Sequence, residues 1–336
     1  MANKQLAALV VTLLMFLSPA ACQNTNASTA CLSRWRKVPN QGSQVCPSAS
    51  GTRNSPAHVL GPGGLNVGYY NRSDSYCPGA EEIVKKAVGE AVDSDPDVGA
   101  GLIRLFFHIR WVRRTQPKPP GLRGDRHGEE CPPAGLPKQG FMHRHHRLLA
   151  ARDATFFLTN NKTFFDMPAG RYDGRVSFAN EMLPNLPGPF SDLQDLKDSF
   201  VSKGLSTCDM VTISDAHSIG RAQCRFFLDW FAGRTDAFAE SLRAKCNGND
   251  GTMVAQDYVT PDFVDNQYYK NMDQNVLFIS DAVLNSTETI GQVTDYANNN
   301  QGLWEGKFAK AMVKMGYIGI KTSAEAEIRM ECVRVN

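Results

Sequence analysis

The chain has little net charge to offer a partner. Its acidic and basic residues nearly cancel, leaving +2 over 336 residues. That balance gives no electrostatic ground for a nucleic-acid or membrane partner. Cys-x-x-Cys is absent, and so is any Cys/His spacing of the zinc-binding kind. The nine cysteines therefore read as disulfide formers rather than metal ligands. Past the N-terminus, no apolar run reaches the roughly 18 residues that span a bilayer. Strand-like alternation is scarce and internal repeats are missing, so the chain is mainly α. What is present is enough length for one large domain or two small ones, with a real core.

The N-terminus indicates the compartment. Lys4 precedes an apolar run from Leu6 to Leu17, followed by Ser18-Pro19-Ala20-Ala21. A charged start, a short hydrophobic stretch and a small-residue exit predict a secretory signal peptide over 1–21. The expected location is therefore extracellular. Asn-x-Ser/Thr acceptors at Asn26, Asn71, Asn161 and Asn285 agree with export, and an oxidising compartment favours pairing of the nine cysteines.

Residues 22–63 are rich in Ser, Asn, Pro and Gly and predict a disordered leader. From Gly64 the text changes. Ile83, Val84, Ala87 and Val88 recur at helical spacing in 80–91. Asp95-Pro96-Asp97 opens a second helix, with proline in its first turn. Residues 110–149 then break the pattern, with nine Lys/Arg against three Asp/Glu and six prolines; no helix is legible there. Helical text resumes at Ala150. Ser191 to Gln194 reads as a capping box before Leu193, Leu196 and Phe200, and Gly204 ends that helix. Asp209–Gly220 and Leu303–Gly316 complete the apolar helices.

Two histidines lie on apolar helical faces. Arg104 and His108 are four apart and share one face, among Leu102, Ile103, Leu105, Phe106 and Phe107. His217 has the small neighbours Ser214, Ala216, Ser218 and Gly220, which let something flat approach. From the residues alone each reads as a satisfied core histidine, and the pair suggests a shared cavity only weakly.

The text around both histidines resembles the secretory plant haem peroxidases, class III. Arg104-Leu-Phe-Phe-His108 resembles that family's distal helix, and Val211–Gly220 its proximal helix. Further likenesses are 170-GRYDGR-175, 185-NLPGPF-190, 257-DYVTPDFVDNQYY-269, 279-ISD-281 and 311-AMVKMG-316, with Glu327, Ile328, Arg329 and Cys332 in the tail. The resemblance covers 64–108 and 150–336. It implies a peroxidase domain over 64–336, a fold of about ten helices in distal and proximal halves, with haem b between them. His217 would be the axial iron ligand, and Asp281 would accept its other ring N–H. His108 would move a proton on hydrogen peroxide, Arg104 would stabilise developing negative charge, and Phe107 would pack at the haem edge. Ser218, Asp257, Thr260, the Phe263 carbonyl and Asp265 match a proximal calcium site, oxygen donors suited to that ion. Pro187 matches the edge where aromatic reductants dock. Small phenolic donors are the implied substrates and a monomer the implied state. Cys224 with Cys246 matches a family pair, and Cys77 with Cys131 is a further expected pairing.

The sequence departs from the family after His108. Ile109 and Arg110 stand where an acidic residue and a cysteine are expected, Trp111-Val112 fill the place of an aromatic-Val pair, and nothing after them resembles the calcium loop with its small disulfide. The distal calcium site is expected to be lost. Lys118 replaces the asparagine that would hold the distal histidine, and Gly135–His146 replaces a helix. Residues 109–149 resemble text read out of frame, expected to be poorly ordered. The basic run 143–146 reads as solvated. Cys31, Cys46 and Cys208 are not family positions, and Cys332 has lost its partner. Beside a working peroxidase stand two alternatives, a haem-binding but impaired homologue and a secreted non-enzymatic protein without haem.

Overall fold

The computed structural model describes residues 65–71, 80–111, 143–175, 185–273, 275–322 and 324–327. The signal peptide and leader, Cys31, Cys46, Cys77, Lys118, Cys131 and Cys332 lie outside them. Ten α-helices and a few 3-10 turns carry the described residues, with two short two-stranded sheets and one antiparallel bridge, Asn66 to Ala169. The mainly α expectation holds.

The first three helices form one layer. Helix α1 (Ala80–Ser94) buries Val84, Val88 and Val92, one turn apart. Ile83, counted with that stripe, is instead exposed. Asp95 Oδ1 accepts from Asp97 N (3.0 Å) and caps α2 (Pro96–Trp111). Proline at the first helical position has no N–H to orphan. Helix α3 (His143–Leu158) lies against both. Two glycines set the spacing. A Cβ on Gly89 of α1 would come within 2.8 Å of the Phe157 ring, and one on Gly99 of α2 within 2.7 Å of Leu158. Larger residues at either place would force the helices apart.

Two sequence expectations are corrected in this layer. Helix α3 begins seven residues before Ala150, because Leu148 and Leu149 are fully buried and carry the apolar face into the basic text. The run after His108, expected to be poorly ordered, stays helical to Trp111, and Ile109, Arg110 and Trp111 are all buried. Arg110 Nη1 donates to the Ile318 carbonyl at 3.3 Å and reaches that of Gly316. Carbonyls at a helix C-terminus carry partial negative charge and attract a guanidinium. Trp111 stacks on Phe107, packs edge-on to Phe200 and donates from Nε1 to Ser199 Oγ at 3.3 Å.

The other elements follow from local chemistry. Helix α4 (Leu193–Ser202) is capped by Asp192, whose side chain accepts from Asp195 N. The capping box expected at Ser191 does not form, because the Ser191 hydroxyl accepts from Gly188 N in the preceding turn. Gly204 follows at φ +78°. Helix α5 (Thr207–Ser214) carries a true capping box between Ser206 and Asp209. The single helix expected over 209–220 instead tightens into a 3-10 turn, Asp215–Ser218, and leaves it at Gly220 with φ +91°. Helices α6 (Ala237–Cys246), α7 (Gln267–Lys270), α8 (Ile279–Ala282), α9 (Ile290–Asn298) and α10 (Leu303–Gly316) complete the set. The bounds of α10 are those read from its spacing. Strand β1 (Asp173–Gly174) pairs with β4 (Ala326–Glu327), and β2 (Arg221–Gln223) with β3 (Met253–Ala255), both antiparallel.

Most buried apolar side chains form one core, and a smaller one gathers around Phe227, Phe231, Leu242 and Val254. The disulfide Cys224–Cys246 lies in the smaller core, as the resemblance implied. Cys208 is also disulfide-bonded, although it was not expected among the family positions.

Candidate active site

Helix α2 abuts the 3-10 turn that carries His217. On α2 the buried face is Leu102, Ile103 and Phe106, while Arg104 is exposed and Phe107 and His108 are half-buried. The face shared by Arg104 and His108 is therefore the one turned away from the core. The face of Phe107 lies on Trp111, with ring centroids 4.2 Å apart and planes at 17°.

The His217 ring is held from one side. Its Nδ1 lies 2.9 Å from Asp281 Oδ1 on α8. A carboxylate oxygen only accepts, so Nδ1 carries the hydrogen and Nε2 of the neutral ring keeps a lone pair. Phe278 stands edge-on to the imidazole at 5.4 Å. The side chain is 41 % exposed, yet burial is the largest influence on its charge. Both hold because protein surrounds the ring on most sides while one side stays open. Burial disfavours the imidazolium, but the charge and hydrogen bond of Asp281 outweigh it, and Arg104 pushes weakly the other way. The net is a pKa above the ordinary value. That influence of Arg104 places its charge near His217.

Asp281 is itself fixed. It is 3 % exposed, and the same Oδ1 accepts from Tyr268 Oη at 2.8 Å. The neighbouring Tyr269 Oη donates to the Val211 carbonyl (3.0 Å) and the Thr212 carbonyl (3.3 Å) on α5. Ser280 N donates to the Pro189 carbonyl at 3.1 Å. That bond ties the half-buried Pro187 loop to the helix bearing Asp281.

The second cluster surrounds Asp257. Its Oδ1 accepts from the amides of Val259 (2.7 Å) and Thr260 (3.0 Å), and its Oδ2 from Asn271 Nδ2 (3.0 Å). Thr260 Oγ1 donates to Asp265 Oδ1 at 3.1 Å, which also accepts from Gln267 N. Phe263 sits in the same loop, its amide donating to the Thr260 carbonyl. Ser218 Oγ is fully buried with no hydrogen-bond partner.

One residue here escaped the sequence reading. Asp215, two before His217, is fully buried with neither carboxylate oxygen hydrogen-bonded. Burial pushes its pKa well above the ordinary carboxylate range, and the charges of Asp265, Asp257 and Glu305 add to it, while the nearby Ser218 hydroxyl, too far or too bent for a full hydrogen bond, pulls weakly the other way. Burial also raises Asp265. Its signal in the sequence was one acid inside the apolar text 210–219. Among the described residues no three acidic, histidine or cysteine side chains converge as a metal site by themselves. Any cation here needs the hydroxyls and carbonyls as well.

Asn161 and Asn285, two of the expected glycan acceptors, are both exposed. No described helix is long and apolar enough to cross a membrane.

Comparison with known proteins gives one consistent result. The family described as "Peroxidase" matches residues 147–299. "Peroxidase 2" of Zea mays is 38 % identical over 309 residues, covering 81 % of this chain and 89 % of the relative. "Peroxidase 25" of Arabidopsis thaliana is 34 % identical over 313 residues, 81 % of this chain and 92 % of the relative. A "Peroxidase" of Triticum aestivum is 34 % identical over 285 residues, 78 % and 90 %.

Proposed function

Because the chain belongs to the plant class III peroxidase family and is a peroxidase, we propose that it works on haem b held by His217 and oxidises small phenolic donors with hydrogen peroxide. The observation that carries this reading is the His217–Asp281 pair at 2.9 Å. It leaves Nε2 as a lone-pair donor on a ring that is 41 % exposed. Small neighbours Ala216 and Ser218 leave space beside it for a flat macrocycle. Haem supplies the redox chemistry that a protein side chain cannot.

The side chains have separate tasks. Asp281 fixes the ring orientation and makes the imidazole more basic. His108 takes a proton from the near oxygen of peroxide and returns it to the departing one. Arg104 stabilises the negative charge that grows there. Peroxide takes two electrons and two protons and yields two waters. Two phenols each lose one electron and one proton. The Pro187 loop is the edge at which those donors reach the electron path.

The end of α2 favours a working site over the impaired alternative. The small loop disulfide of the family is missing, but Arg110 and Trp111 anchor the helix one turn after His108. Calcium fits the second cluster. The orphaned oxygens of Asp215 and Ser218 beside Asp257 and Asp265 are hard donors without a positive partner. Those residues and Thr260, with the Phe263 carbonyl, would hold the ion. The N-terminal signal and the glycan acceptors support export and an extracellular enzyme. Haem-reconstituted protein should react with peroxide and oxidise guaiacol, and His108→Ala should lower the peroxide step by at least about 100-fold. Reaction at an unchanged rate would remove His108 from the mechanism.

A further inference from the structure

We propose that Tyr268 is a positioning residue that tunes His217 through Asp281. Its hydroxyl competes with the imidazole for one carboxylate oxygen and so limits how strongly that carboxylate draws on the ring. The inference rests on the reading that His217 holds haem iron.

The argument is geometric. Asp281 has two oxygens, yet Tyr268 Oη (2.8 Å) and His217 Nδ1 (2.9 Å) both meet Oδ1. Two donors on one oxygen divide its negative charge, so each receives less than it would alone. A tyrosine needing only a hydrogen-bond partner in the core could have met a carbonyl, as Tyr269 does on α5. The two tyrosines are consecutive on α7, so one short helix holds both the acid behind the imidazole and the helix leading to it. Tyr268 is 3 % exposed, so water does not substitute for its hydroxyl. Burial and the Asp281 charge hold its proton on, so it stays a donor throughout the neutral range.

A carboxylate that pulls harder on Nδ1–H gives the imidazole more anionic character and favours ferric over ferrous iron. Tyr268 therefore sets the potential upward from the value that an unshared His217–Asp281 bond would give. Removing its hydroxyl should move the potential down.

The test uses the haem-loaded full chain. The readouts are the Fe(III)/Fe(II) midpoint potential and the iron–histidine stretch in the resonance Raman spectrum of the ferrous protein. Tyr268→Phe should raise the stretching frequency and favour ferric iron by up to about tenfold, which is about 59 mV for one electron. Tyr296→Phe serves as control, because its hydroxyl meets Thr212 and Gln292 rather than Asp281. It should leave both readouts in place. Should Tyr268→Phe fail to fold, difluorotyrosine at 268 keeps the shape and strengthens the donor. It should shift both readouts the opposite way. Unchanged readouts in the folded variant, or a potential that rises in Tyr268→Phe, overturn the inference. Loss of the reading beneath it looks different: the iron–histidine stretch would then persist in His217→Ala.

Discussion

Asp215→Asn should make the calcium-free protein more stable and the calcium-loaded protein less responsive to the ion. Without a cation the Asp215 carboxylate is fully buried, and neither oxygen has a partner. Asp265 and Asp257 stand near enough to raise its pKa further. A raised carboxylate binds more protons folded than unfolded, so stability falls as pH climbs from its unfolded value through its folded one. An uncompensated buried polar group costs about 1–3 kcal/mol, and the neutral amide removes most of the charge part. In chelator at pH 8 the variant should therefore melt above the wild type by roughly 2–4 °C per kcal/mol. Its stability should also fall less steeply with pH. Calcium narrows the gap. At a hundredfold excess over its dissociation constant it stabilises the wild type by about 2.7 kcal/mol. Losing a charged donor should weaken binding about tenfold, or about 1.4 kcal/mol. Scanning calorimetry from pH 5 to 8, with chelator and with calcium, reads both effects. A variant that is less stable in chelator and gains the full calcium increment would refute the reasoning, because Asp215 would then be satisfied without the ion.

Three further outcomes follow from the packing. Trp111→Ala removes a fully buried indole that stacks on Phe107 and should destabilise by about 3–5 kcal/mol; an effect below 1 kcal/mol in chemical denaturation would mean that the end of α2 is not anchored there. Replacing Cys224 and Cys246 together by serine opens a loop of 22 residues and should remove about 3 kcal/mol, with haem spectra unchanged if the second core is only structural. Asp281→Ala should leave His217 without its acceptor and lower haem affinity about 10–100-fold; equal affinity in a haem titration would separate Asp281 from ligand orientation.

The fold was legible wherever one periodicity ran unbroken. Helix α10 shows Trp304, Phe308, Ala311, Met312 and Met315 on one face, and its ends were read correctly. The start of α3 was hidden because His143-Arg-His-His-Arg147 has no apolar period, although Leu148 and Leu149 carry the burial. Adjacent capping residues, Ser191 and Asp192, could not be told apart by type, and the turn at 188–191 took the serine. Tightening of the chain at Asp215–Ser218 depends on the exit at Gly220, which helical spacing does not record.

The site was less legible than the fold. His217 and Asp281 are 64 residues apart, and nothing in either local text points to the other. Only the resemblance to plant peroxidases joined them, and the 2.9 Å contact agrees with it. The same resemblance covers Asp215 and Tyr268 without giving either a role. Asp215 was legible only as a charge out of place in apolar text. Tyr268 was legible only as one of two aromatics in a short polar helix. Arg110 and Trp111 looked foreign to the distal helix, yet their chemistry suits the helix end and the core they meet.

The central claim is that His217, oriented by Asp281, holds haem iron. Haem titrated into the refolded protein with calcium should give a Soret band that saturates at one haem per chain. His217→Ala should lose that saturable band, with imidazole in solution restoring it in part. A wild-type chain without a saturable Soret band, or a His217→Ala chain that keeps it unchanged, would contradict the account.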